Sequence, residues 1–472
     1  MGEWDNSFKP LKIPAEYDRS QNLHENAEAL KMLEAWKNGA HNALIALNSQ
    51  VARARAMGEG LTGDVLANVV FYVSPFAIES YDDGLDLGPW RTPAMERIAF
   101  EMLSIPQISQ PSVALLRHVL LKNLKPIFSS NPHPYLNTTT GRKLTRPAGG
   151  LGATQDYYDE QAWKTYPGVW SVLAWVIKNI LPDAYEDLWP LLIPPTMTLL
   201  DDYQAKHKLE GVRVVSLMLH TIPKELLKRT GVDELLFTSL KTGLSHLSDP
   251  ETPTLIRLII FTWLNLTLKV DEPQSFEFFD HLCTLVVNGV IEGIWIYSEE
   301  NIMAMKATLD ALPDVFRALD TATVSFLKSL IPQLAHILAM RNNLAYQPDN
   351  VNDIINLQKS AGRALLVVVE VGACRIEGWK LTILDCVARC WVGLVDLSSG
   401  GMDSELQNIL REIMLKLTTA CPDISQVSSH PCFHISLLWL ILSSQNAYKA
   451  LLMEDHSMFS GLVRPTPASV PE

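Results

Sequence analysis

Cysteine is scarce in this sequence, with 6 in 472 residues, too few for a disulfide framework. A basic excess is missing as well: 39 Lys and Arg stand against 52 Asp and Glu, a formal net charge of −13. That sign argues against direct nucleic-acid binding, because attraction to phosphate needs a basic surface. Long uninterrupted apolar runs are also absent. The most apolar stretches are Leu255–Leu268, broken by Arg257, His281–Tyr297, broken by Glu292, and the short Ile435–Leu442. A membrane span needs about 20 such residues in succession, so none is expected. Met1-Gly2-Glu3-Trp4-Asp5 lacks the basic and apolar regions of a secretory signal, and Asn6 stands where a myristoylation site has Ser or Thr. The expectation is a soluble protein of a reducing compartment.

Motifs that carry chemistry are equally thin. There is no His-Glu-x-x-His zinc motif, nucleophile elbow, dinucleotide fingerprint or kinase signature set. Gly149-Gly150-Leu151-Gly152 lacks the Gly-Lys-Ser/Thr and the preceding strand of a phosphate cradle, and reads as a turn. His430-Pro431-Cys432-Phe433-His434 offers three soft-metal ligands, but no second cluster completes a tetrahedral site. Cys386 and Cys390 lie four apart on one helical face, as buried core thiols do. Asp201-Asp202 reads as capping and turn chemistry rather than an acid–base pair. No catalytic residue, cofactor or metal is assigned, and an enzyme is disfavoured.

Helical periodicity is what the sequence does have. Hydrophobic residues make up 47% of the chain, and strand-like alternation is nearly absent. Leu30, Leu33, Trp36, Leu44, Leu47 and Val51 mark Glu25–Ala56 as one long amphipathic helix or a broken pair. Breakers crowd Ser74–Pro93, and helices resume at Ala94–Leu103 and Ser112–Phe128. After an interruption at Ser129–Gly168, helical signal runs from Val169 to about Ser444. The tail Arg464–Glu472 holds three prolines and is expected to be disordered. The domain reading is an N-terminal helical region at 1–110, a helix plus long loop at 111–168, a solenoid at 169–450 and a tail at 451–472.

The solenoid reading comes from a repeat. Leu188-Trp189-Pro190-Leu191-Leu192-Ile193 opens a helix ending near Leu200; a turn at Asp201-Asp202 and a second helix through Val212-Arg213 follow. A similar unit spans Asp233–Leu247, Asp249 and Ile256-Arg257, and looser copies begin near Phe326-Leu327 and Trp379. The apolar-Arg pairs Val212-Arg213 and Ile256-Arg257 stand 44 residues apart. A two-helix unit of about 40–47 residues suits HEAT and armadillo arrays, in which stacked hairpins bury faces that no hairpin can bury alone. The predicted fold is all-α: a HEAT/armadillo-like α-solenoid with a long ordered or partly ordered loop insertion. The arginine beside each buried apolar residue is placed to bond a turn aspartate. An importin-like transport adaptor with an acidic groove for basic peptides is the competing reading, although the tryptophans lack the fixed period that armadillo adaptors show.

The loop insertion is not featureless. Tyr135, Tyr157, Tyr158, Trp163 and Tyr166 give it side chains that need a packing partner. From Pro111 to Gly150 the chain carries Arg117, Lys122, Lys125, Arg142, Lys143 and Arg146 and no acid, while Asp156–Glu160 follows as an acidic run. The block is read either as a docking patch for an acidic partner segment or as charge neutralised within the chain. Arg142, Lys143, Arg146, Trp163 and Lys164 are the candidate partner-docking residues.

Two segments carry a family resemblance. Asp201-Asp202-Tyr203, His207-Lys208 and Gly211-Val212, within Leu191–Pro223, resemble a hairpin of the Tel-two-interacting protein two family. Gly141-Arg142, Gln155-Asp156-Tyr157-Tyr158-Asp159 and Gln161-x-Trp163-Lys164 resemble the stretch before that hairpin in fungal members. Asp201, Asp202, Tyr203, Gly211, Val212 and Arg213 thus form a family-like structural hairpin, and the resemblance covers about residues 110–400. It implies a non-enzymatic subunit of the Triple-T cochaperone, cytoplasmic and nuclear. The implied partners are Tel-two protein and a larger α-solenoid, Tel-two-interacting protein one. The ninety-kilodalton heat-shock chaperone and phosphatidylinositol 3-kinase-related kinases are implied indirectly.

Overall fold

The computed structural model describes residues 2–18, 27–58, 61–77, 88–129, 133–148, 161–297, 301–340, 351–396 and 403–422, with 459, 461 and 462. The Gly149–Gly152 turn, the acidic run at 156–160, the His430–His434 cluster and the proline-rich tail lie outside these residues. The fold is an all-α solenoid. Its sheet, among the described residues, is a single antiparallel hairpin of β1 (Leu136–Asn137) and β2 (Arg142–Lys143). The chain forms two compact units, Met1–Val270 and Asp271–Glu472. The boundaries expected at 110 and 168 fall inside the first unit.

The first unit opens with α1 (Gly2–Phe8), α2 (Ala27–Ala56), α3 (Gly63–Val73) and α4 (Pro93–Leu103). Thr62 and Thr92 cap α3 and α4 by accepting from Val65 and Met95 N–H, which satisfies donors that a helix start leaves orphaned. On α2 the apolar stripe buries Leu33, Leu44, Leu47 and Val51. Trp36, only half-buried, lies between Tyr17 and Phe76. Helix α3 was not read from the sequence: its Val-Val-Phe-Tyr-Val run has no polar face to set a period, and it is buried on most sides. Helix α5 runs from Val113–His118 through a π-helical segment, Val119–Leu124, into Lys125–Phe128.

Next come α6 (Val169–Asn179), α7 (Tyr185–Leu200), α8 (Ala205–Thr221), α9 (Lys224–Thr230), α10 (Val232–Gly243) and α11 (Thr252–Val270). Helices α6, α8 and α11 pack in sequence as one row, and α7 and α10 line up against them as a second. This is the layered stacking that two-helix repeats require. Helix α11 has the length and mean hydropathy (1.3) of a membrane span, yet 61% of it is buried in the unit. It is a core helix, holding Leu255, Ile256, Ile259, Ile260, Trp263 and Leu266 against α8 and α10.

The second unit contains Phe276–Thr284 continuing into the π-helical Leu285–Trp295 (together α12), α13 (Ile302–Leu319), α14 (Leu327–Leu338), α15 (Val351–Val371), α16 (Lys380–Asp396) and α17 (Ser404–Ala420). Helices α13, α15 and α17 form one row, with α14 and α16 as the other. The starts of α14 and α16 coincide with the looser repeat copies expected at Phe326-Leu327 and Trp379. Cys386 and Cys390 are buried on α16; burial raises both thiols, Cys390 to about 12.

Candidate functional site

The turn between α7 and α8 gathers the two segments singled out by sequence. Helix α7 ends at Leu200, where Asp201 N–H still donates to Met197 at 2.9 Å. The Asp202 carboxylate then accepts from Gln204 N–H at 2.9 Å, an Asx-type turn that starts α8. Three prolines lie inside α7, at 190, 194 and 195. Pro194 and Pro195 free the carbonyls of Pro190 and Leu191, which are half-exposed, so water remains within reach.

Each aspartate of the turn meets a residue from the long insertion. Asp201 Oδ2 lies 2.6 Å from His133 Nε2. Asp202, 2% exposed, takes Lys164 Nζ at 2.6 Å. The Lys164 ammonium also stands 4.3 Å from the Tyr203 ring centroid, a cation–π arrangement. A buried carboxylate is tolerated only when paired and hydrogen-bonded, and Asp202 has both an ammonium and a backbone N–H. The interruption is therefore an ordered strap across the repeat wherever it is described.

Further contacts fasten the strap. Trp163 is 1% exposed; it stacks on Phe128 at 5.7 Å and meets His207 edge-on at 4.8 Å. Its indole N–H donates to Gln161 Oε1 at 3.1 Å. Gly141 sits at φ +65°, a left-handed conformation that favours glycine, and a Cβ there would lie 2.6 Å from the Trp189 ring. The Gly141 carbonyl accepts from Trp189 Nε1 at 2.9 Å. Lys143 pairs with Glu234 of α10.

The candidate docking residues consequently separate. Arg142 and Arg146 are exposed, and neither has a carboxylate partner among the described residues. Lys143 is half-buried in its ion pair. Trp163 and Lys164, taken from the sequence as docking residues, point inward: the indole is core, and the ammonium neutralises Asp202. Sequence spacing alone missed this because both partners, Phe128 and Asp202, are distant in the chain.

In the family-like hairpin, Gly211 marks the crossing of α7 and α8. A Cβ at that position would lie 2.4 Å from Leu200 N and 2.5 Å from Leu200 Cα. Val212 is fully enclosed. The Arg213 guanidinium lies over the Trp170 ring at 5.8 Å; the turn aspartates, which the sequence offered to the repeat arginine, are met by His133 and Lys164. Lys208 was seen in the sequence only as a basic residue. It is 3% exposed, and its Nζ donates to the Leu200 carbonyl at 2.8 Å. Burial pushes its ammonium below the usual lysine range, while Asp201 and Asp202 pull it back up.

The N-terminal region joins the same site. Asp18 Oδ1 accepts from Lys206 Nζ at 2.8 Å, and His207 Nδ1 lies 3.1 Å from Glu210 Oε2. Beside the turn, His133, Tyr135, Asp201, Tyr203, Lys208 and Thr238 border an open cleft of about 310 Å³. Among the described residues no three His, Cys, Asp or Glu side chains converge for a metal ion. The arrangement is a set of charge clamps that hold a strap on a helical repeat.

Comparison with known proteins places a match over this same region. A model described as the Tti2 family matches residues 77–342, which is more than half of the chain. TELO2-interacting protein 2 of Mus musculus is 24% identical over 244 residues, 51% of this chain and 44% of that protein. TELO2-interacting protein 2 of Rattus norvegicus is 21% identical over 182 residues, 38% of this chain and 35% of that protein. The matched stretches span less than half the length of these curated relatives. No solved structure matches.

Proposed function

This chain belongs to the Tti2 family, and from that premise we propose that it is a non-enzymatic scaffold subunit of the Triple-T cochaperone, of the fungal kind. In this reading it associates with Tel-two protein and the larger solenoid Tel-two-interacting protein one, in the cytoplasm and nucleus. It supports the folding, assembly and stability of phosphatidylinositol 3-kinase-related kinases, with the ninety-kilodalton heat-shock chaperone as an indirect partner.

The observation that carries the reading is where the family match falls. It covers the α5–α11 repeats, the strap and the Asp201-Asp202-Tyr203 turn, so the features that set this solenoid apart lie within the shared region. The chemistry of the site supports a scaffold. Its carboxylates and ammonium groups are engaged in pairs that lock one helix hairpin, an arrangement suited to presenting a rigid surface. A partner that binds only the folded chain stabilises it by mass action.

Co-expression with the larger solenoid partner is expected to raise the soluble yield and the melting temperature of this chain. Affinity purification with mass spectrometry is expected to recover both complex subunits. Unchanged yield and melting, together with recovery of neither subunit, would refute the assignment.

A further inference from the structure

We propose that the exposed cations of α5 and the β1–β2 hairpin form a docking surface for an acidic segment of a partner protein. Of the six basic residues between Pro111 and Gly150, two are neutralised by the repeats: Arg117 lies 3.8 Å from Asp187, and Lys143 is paired with Glu234. Lys122, Lys125, Arg142 and Arg146 are exposed and have no carboxylate partner among the described residues. Four exposed cations without a carboxylate partner among the described residues thus stand in a protein whose net charge is −13.

Both basic segments are held on helix α7. Arg117 ties α5 to Asp187 on α7, and two residues along, Trp189 holds the Gly141 carbonyl next to Arg142. The strap's other end is held at the C-terminal end of α7 by His133 and Asp201. Helix α5 packs on α7 and the hairpin is bound to it through Trp189, and Lys122, Lys125, Arg142 and Arg146 are exposed. Leu121 of α5 and Tyr135, one residue before β1, are exposed on the same two segments, so the segment that fits has acidic residues interspersed with apolar ones. Like-signed cations held by separate elements repel one another, and an acidic segment relieves that repulsion while its apolar side chains cover Leu121 and Tyr135.

The inference rests on the scaffold reading only in taking the segment from a subunit of the complex. Its direct test measures the anisotropy of a labelled peptide of Asp and Glu with interspersed Leu and Tyr. The full chain is expected to bind it, with affinity falling about tenfold between low and moderate salt. The combined change Lys122→Glu, Lys125→Glu, Arg142→Glu, Arg146→Glu is expected to abolish binding without shifting the melting temperature. The same four positions changed to Gln provide a milder variant should the reversal disturb folding, and a loss of at least tenfold is expected there.

Binding unaffected by either variant would overturn the inference, as would tighter binding of a single-stranded oligonucleotide, or self-association that the reversal removes. Replacing the acidic run by Asp156→Asn, Asp159→Asn and Glu160→Gln is expected to leave peptide affinity unchanged; a tenfold gain would make the chain's own run the occupant. Co-purification separates the two proposals. If the wild-type chain fails to recover the larger solenoid, the scaffold reading falls while peptide binding still decides this one. If it succeeds and the reversal does not lower recovery, the docking surface falls.

Discussion

Replacing Gly211 by alanine should destabilise the first unit, although alanine is the better helix former. In a helix interior the intrinsic preference favours alanine by about 1 kcal/mol. At Gly211 the added Cβ would lie 2.4 Å from Leu200 N, 2.5 Å from Leu200 Cα and 2.6 Å from Leu199 C. Those atoms are backbone and cannot rotate aside. Reaching ordinary carbon contact would force α7 and α8 apart by about 1 Å. That shift loosens Leu199, Leu200, Val212 and Val215, all fully buried. Overpacking of this kind costs up to about 3 kcal/mol, so the net loss is about 2 kcal/mol. Gly39, exposed on α2 with nothing within 4 Å of a built Cβ, supplies the control. There the same substitution should stabilise by about 1 kcal/mol. With about 2 °C of melting temperature per kcal/mol in a unit of this size, Gly211→Ala should melt about 4 °C lower and Gly39→Ala about 2 °C higher. Urea midpoints read by tryptophan fluorescence give the same comparison. A Gly211→Ala protein as stable as the Gly39→Ala protein would refute the close crossing.

Two further predictions concern buried titratable groups. Lys208 has a folded-state value below 10.5 because of burial, so between that value and 10.5 the unfolded chain holds more protons than the folded one. Stability should therefore rise with pH across that window in the wild type relative to Lys208→Met, read as the difference in urea midpoint on going from neutral to moderately alkaline buffer. A difference that stays flat or falls would contradict a desolvated ammonium. Cys374 is exposed, whereas Cys386 and Cys390 are buried with raised thiols. Native alkylation by iodoacetamide should label Cys374, and peptide mass spectrometry should find Cys386 and Cys390 modified only after denaturation. Early labelling of Cys390 would show α16 to be more open than its packing implies.

Much of the helical fold was legible in the amino-acid order, because apolar spacing is a local property that survives without knowledge of partners. The turn at Asp201-Asp202, the pairing of α10 with α11 and the starts of α14 and α16 are written in apolar spacing and turn residues. Helix α3 was not, since a nearly all-apolar run has no period to read. The two-residue strands of the insertion were missed because hairpin pairing over so few residues leaves no alternation.

The candidate site divides along the same line. Sequence alone determined that a basic block lies beside an aromatic-rich interruption, and that Asp201-Asp202 closes a helical hairpin. It could not say which charges remain free, because neutralisation is decided by distance in space. Glu234 is 91 positions from Lys143 and Asp202 is 38 from Lys164 in the chain, yet both pairs are in contact in the fold. Packing of the strap on α7, α8 and α10 turned Trp163 and Lys164 into internal fasteners and left Arg142 and Arg146 facing outward. Local pattern determines which faces must be hidden; tertiary packing decides which charges are spent in hiding them.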